Sequence, residues 1–146
     1  MIAIVNNGGH NISSVKFALE RLGYRSVITS KIVEIQNSDK VILPGVGSAK
    51  DSIKRLKDNN LIQCIKNLKQ PVLGICLGMQ LFFNFSEEGD VNLLNVINGT
   101  VQHFKYIKNR SIPHMGWNTI KKDIDHPIFY NIKEQDYFYF VHSYFV

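Results

Sequence analysis

Two cysteines occur in the 146 residues, and one of them has neighbours that suit a reactive thiol. Cys76 lies in Pro71-Val72-Leu73-Gly74-Ile75-Cys76-Leu77-Gly78-Met79-Gln80, with apolar residues over 72–75 and a glycine two positions to either side. This reads as a buried strand that turns sharply at Cys76 into a helix over 77–84. Small neighbours permit a strained turn that pushes one side chain into a cleft, the geometry of a nucleophile elbow. The start of the next helix offers free N–H groups and a partial positive charge, which favour a thiolate. The chemistry would be attack of sulfur on a carbonyl carbon. An ordinary buried cysteine at a strand end is the competing reading; the two glycines and the polar Gln80 weigh against it. Cys64 falls in a helical pattern and reads as a small buried apolar residue. No CxxC or other metal spacing is present, which points to a reduced cytoplasmic protein with no metal site.

An acyl-transfer cysteine needs donors for the oxyanion that forms on attack. Pro44-Gly45-Val46-Gly47-Ser48 suits that task, because Gly45 and Gly47 let backbone N–H groups approach a ligand closely, although a plain tight turn would use the same residues. Asn6-Asn7-Gly8-Gly9-His10-Asn11 is a weaker candidate, since it fits neither GxGxxG nor a Walker loop.

The elements that would carry these loops alternate. Ile2–Val5 is an all-apolar strand. Asn11 would cap a helix with Ile12, Val15, Leu19 and Leu22 on its apolar face, and Gly23 would stop it. Strands at 25–29 and 40–43 follow, then helices at 49–57 and 61–68, then the strand at 71–75. This rhythm predicts an α/β fold with a doubly wound, mainly parallel sheet. From about residue 90 the pattern changes. Thr100–Phe104, Trp117–Lys121 and Tyr137–His142 read as strands of an added mixed or antiparallel edge portion. With no repeats or linkers, one domain over 1–146 is expected. Loops beyond the carboxyl ends of parallel strands are where ligands bind in such sheets, and all three loops fall there.

Composition narrows the class. The apolar share of 45% and charged share of 20% are those of an ordinary globular chain. No apolar run approaches the ~20 residues of a membrane span, and the N-terminus lacks a secretion signal. The net charge of +5 comes from scattered lysines, among them Lys50, Lys54, Lys57 and Lys108, so neither nucleic-acid nor membrane binding is expected.

Four segments together carry a family resemblance: Gly74-Ile75-Cys76-Leu77-Gly78-Met79-Gln80, Pro44-Gly45-Val46-Gly47, Pro113-His114-Met115-Gly116-Trp117-Asn118 and Tyr139-Phe140-Val141-His142-Ser143-Tyr144. In order and spacing the chain closely resembles the class I, triad-type glutamine amidotransferases, specifically the glutaminase subunits of imidazole glycerol phosphate synthase. The resemblance implies that Cys76 attacks the side-chain amide of glutamine, releasing ammonia and leaving a glutamyl thioester for water to hydrolyse. It implies that backbone at Val46, Gly47 and Leu77 holds the oxyanion. Gln80 and Glu88 would help bind glutamine, and Ser143 and Tyr144 would bind its amino-acid end through backbone groups. Asn11, Trp117 and Tyr139 would face a barrel-type synthase (cyclase) subunit that receives the ammonia in histidine biosynthesis; core packing is the plainer reading of the two aromatics. No cofactor is implied.

The sequence departs from that family in two places. The family completes its triad with a His-Pro-Glu motif near the C-terminus, and none occurs in these residues. His126-Pro127 continues into Ile128 and precedes the substrate-binding strand; His142 is the remaining histidine weighed as a substitute base. The closing C-terminal elements are therefore expected to be missing, with an unpaired edge at Tyr137–Val146 prone to association. The second departure is Asn6-Asn7-Gly8-Gly9, where the family carries an Asp-Tyr-Gly type segment. The alternatives to an active glutaminase are an inactive subunit that only docks on the partner, an amidotransferase serving another acceptor such as a sugar, or a generic cysteine hydrolase.

Overall fold

A computed structural model describes residues 1–8, 11–106 and 111–146. Gly9, His10 and Lys108, named above, lie outside the described residues. The chain forms two compact units, Met1–Gln102 with Val146, and His103–Phe145.

The first unit opens with β1 (Ile2–Val5), α1 (Ile12–Arg21), β2 (Ser26–Thr29), α2 (Ile32–Gln36) and β3 (Lys40–Leu43). It continues through α3 (Ala49–Asp58), α4 (Leu61–Lys66), β4 (Val72–Gly74) and α5 (Leu77–Gln80). The four strands form one sheet in the order β2-β1-β3-β4, and every pairing is parallel. Strand order reverses at the β1/β3 neighbour pair, so the loops after β1 and β3 flank the switch point of the sheet. Ala3, Val5, Val41 and Leu43 are buried on one face with Ile35, Leu56, Leu61 and Leu81. Ile4 and Ile42 are buried as well, so both sides of these strands are apolar, as a covered parallel sheet requires.

Several helix boundaries differ from the sequence-based expectation, each for a local reason. The helix expected over 77–84 is a single turn. The carbonyls of Leu81, Phe82, Phe83 and Asn84 instead accept from the N–H groups of Leu94, Val96 and Ile97, Asn95, and Leu93, at 2.8–2.9 Å. The Phe82 and Phe83 N–H groups close i→i−3 turns on Met79 O and Gln80 O at 3.2 Å, and the Asn84 N–H donates to Gly99 O at 3.0 Å, so the i→i−4 ladder stops at Leu81. Asn11 occupies the N-cap position of α1 with φ 67°, and its side chain makes no cap bond to the helix backbone. Leu22, expected on the buried face of α1, is its C-cap residue and is 70% exposed. α2 has no counterpart in the sequence reading, because five residues are too few to show a helical period.

Short strands follow, the last of which ends on the first residue of the second unit. β5 (Phe85–Ser86) pairs antiparallel with β6 (Val91–Asn92) and parallel with β7 (Thr100–His103). In the second unit, β8 (His114–Thr119) and β9 (Tyr137–His142) form an antiparallel ribbon, and β10 (Tyr144–Phe145) lies at its end in sequence. β8 begins three residues earlier than expected and ends before Lys121. β9 is paired with β8 along its whole length, from His114↔His142 to Thr119↔Tyr137, and among the described residues no further strand pairs with its other side.

Candidate active site

The turn between β4 and α5 has the form the sequence predicts. Cys76 adopts φ 54°, ψ −121°, a region that a side chain occupies only at a cost. The surrounding contacts hold it there. The Ile75 N–H donates to Leu43 O at 3.0 Å, and the Cys76 carbonyl accepts from Met79 N at 3.0 Å and Gln80 N at 3.2 Å. Cys76 is exposed and its thiol is free. Leu77, 3% exposed, opens α5, so its N–H lacks an intrahelical acceptor.

The glycines let backbone pack on backbone. A Cβ on Gly78 would lie 1.8 Å from Leu43 O, and one on Gly45 would lie 2.7 Å from Gly78 N. One on Gly74 would lie 2.5 Å from Met79 Cα. The Pro44–Gly47 loop is therefore in direct contact with the first turn of the elbow helix. Pro44 and Gly45 are buried, whereas Val46 and Gly47 are exposed. Gly47 has φ +95° and open space around it, a conformation a side chain would oppose. The loop ends at Ser48, whose side chain accepts from Asp51 N at 3.1 Å and caps α3.

The other first-unit residues divide. Gln80 is buried at 8% exposure. Glu88 Oε2 accepts from Ala49 N at 3.1 Å, so this carboxylate sits on the first N–H of α3, next to the oxyanion-loop candidate. Sequence reasoning missed this contact, since nothing in the spacing of 49 and 88 signals it. It missed Asn7 too, which is 1% exposed and donates from Nδ2 to Pro44 O at 2.9 Å. Asn11 is exposed; Ser14 Oγ donates to its Oδ1, and Ser14 N to its carbonyl at 3.2 Å.

In the second unit, Ser143 O accepts from Phe104 N at 2.9 Å. Tyr144 O accepts from His142 Nδ1 at 2.8 Å, and His142 Nε2 lies 2.9 Å from His114 Nδ1. A carbonyl cannot donate, so Nδ1 of His142 carries a proton, and in the neutral ring Nε2 accepts from His114. Both ring nitrogens of His142 thus have partners inside the unit. Trp117 and Tyr139 face each other across the ribbon, with ring centroids 5.5 Å apart and planes at 75°. They are 69% and 56% exposed, which sets aside core packing within this chain. Among the described residues no cluster of three or more His, Cys, Asp or Glu could hold a metal, and no helix is long and apolar enough to cross a membrane.

Known proteins are similar to this chain over nearly all of it. The imidazole glycerol phosphate synthase subunit HisH of Pasteurella multocida (strain Pm70) is 51% identical over 143 residues, covering 98% of this chain and 72% of the relative. That of Blochmanniella pennsylvanica (strain BPEN) is 49% identical over 144 residues, with 98% and 73% covered. Subunit HisH 2 of Campylobacter jejuni (strain RM1221) is 46% identical over 145 residues, with 99% and 73% covered. A crystal structure of a glutamine amidotransferase shares the fold at a TM-score of 0.61 and 17% identity, covering 70% of this chain and 56% of that one. The family model for glutamine amidotransferase class-I matches residues 3–146. An elbow cysteine, a glycine loop packed against it and this breadth of likeness lead to one assignment: the chain belongs to the class-I glutamine amidotransferases, among the HisH subunits.

Proposed function

We propose that this chain acts as the glutaminase half of a two-subunit synthase, hydrolysing glutamine and passing ammonia to a barrel-type cyclase subunit in histidine biosynthesis, in the cytoplasm. The observation that carries the reading is Cys76 at φ 54°, exposed, with the Pro44–Gly47 loop packed against the turn that follows it. In this reading Cys76 Sγ attacks the side-chain carbonyl carbon of glutamine, the C–S bond forms, and charge moves to oxygen. N–H groups of Val46 or Gly47 and of Leu77 stabilise that oxyanion. The C–N bond then breaks, the nitrogen takes a proton and leaves as ammonia. Water hydrolyses the thioester to glutamate and restores the thiol. Gln80, Glu88, Ser143 and Tyr144 bind the substrate, and Asn11, Trp117 and Tyr139 meet the partner. One domain over 1–146 carries these roles.

Glutamate release from glutamine, measured with the cyclase subunit and its nucleotide ligand present, tests this. Turnover that Cys76→Ser abolishes is the expected result. Turnover that survives Cys76→Ser rejects the nucleophile. Complex formation without turnover makes the chain a docking subunit.

A further inference from the structure

Pro44 has no N–H, so its backbone can be tied by a hydrogen bond only through its carbonyl, the oxygen of the Pro44–Gly45 peptide. That carbonyl accepts from Asn7 Nδ2 at 2.9 Å, across the crevice between the β1 and β3 ends. Asn7 is 1% exposed and 37 residues distant in sequence, so the bond is buried and its geometry is set by the sheet. The backbone of Asn7 is itself held. Its N–H donates to Val5 O at 3.2 Å, Asn6 N–H donates to Thr29 O at 2.8 Å, and Arg55 Nη1 donates to Gly8 O at 3.1 Å. Downstream of Pro44, Gly45 is wedged against Gly78 N and Leu77, and Glu88 Oε2 takes the Ala49 N–H at 3.1 Å. Between these two side-chain anchors only Val46 and Gly47 are exposed, and they are the residues whose N–H groups would meet an oxyanion.

We propose that Asn7 is a positioning residue for acyl transfer: its amide sets the Pro44–Gly45 peptide and thereby the aim of the Val46 and Gly47 N–H groups, with Glu88 as the second anchor. This rests on the reading of Pro44–Gly47 as the oxyanion loop. Asn7 touches no reacting atom in this role. Its loss should slow only steps that build charge on a carbonyl oxygen, because a donor displaced by a fraction of an ångström loses much of its effect.

The test compares two reactions of Cys76 in the full chain. In the first, the p-nitrophenyl monoester of glutaric acid acylates the thiolate: a C–S bond forms, an oxyanion develops, the C–O bond breaks and p-nitrophenolate leaves with the electron pair. In the second, iodoacetamide alkylates the same sulfur with loss of iodide and no oxyanion. Both are followed below the melting transition of each variant, with Cys76→Ser as the blank. Asn7→Leu and the isosteric Asn7→Asp, which lacks the Nδ2–H, should each lower acylation about tenfold, with alkylation unchanged within about twofold. An unchanged ratio of the two rates in both variants overturns the proposal while Gly47→Val still lowers acylation. If Gly47→Val leaves acylation untouched, the oxyanion reading falls and the role of Asn7 falls with it.

Discussion

Cys64 lies on α4 at 5% exposure among Leu61, Ile65 and Leu56, and burial pushes its thiol pKa up. Folding therefore favours the protonated thiol. The associated stability is fully present below the unfolded pKa of a cysteine and is lost as pH rises through the folded value. Cys76 is exposed, on a turn at φ 54°. Ellman's reagent at mildly alkaline pH should thus titrate one thiol quickly and the second only in denaturant, and Cys76→Ser should remove the fast phase. Two fast thiols would mean that the α4 core opens readily. The contrast was legible in the sequence, because Cys64 sits at helical spacing among apolar residues and Cys76 between glycines. The tether from Asn7 was not legible. A buried side-chain amide bonded across 37 residues leaves no local pattern.

At the scale of elements, the sheet was legible because each strand is a short apolar run punctuated by glycine, proline or asparagine, and only a few boundaries moved. The misplaced end of α5 shows why. Residues 81–84 have helical sequence character, but the Asn84 N–H bonds to Gly99 O and the carbonyls of 81–84 bond to 93–97, a tertiary choice that periodicity does not record. The same contacts separate two kinds of glycine. Gly78→Ala puts a methyl 1.8 Å from Leu43 O, where backbone must move, and should cost about 3 kcal/mol. Gly47→Ala meets no atom within 4 Å and pays only for φ +95°, about 1–2 kcal/mol. Thermal melting of the two variants checks the order. Equal losses would mean that β3 and α5 are not in the close contact described.

At the scale of the whole molecule, the second unit presents a surface that its own fold does not explain. On the β8–β9 ribbon, Met115, Trp117, Tyr137, Tyr139 and Val141 share one face and are each more than half exposed, between 56% and 69%. Their neighbours at His114, Gly116, Phe138, Phe140 and His142 are half-buried on the other. Aromatic residues rich in apolar area, grouped on one rigid face, are the composition of an interface centre, where a single truncation commonly costs ~2 kcal/mol or more. Under the proposed function that face meets the cyclase subunit. Trp117→Ala should then weaken binding to the cyclase by on the order of thirtyfold and leave the melting temperature of the isolated chain in place, since a side chain 69% exposed contributes little to folding. Calorimetric titration beside a melting curve reads both quantities. A lowered melting temperature with unchanged affinity would assign Trp117 to the support of its own ribbon and move the partner surface elsewhere.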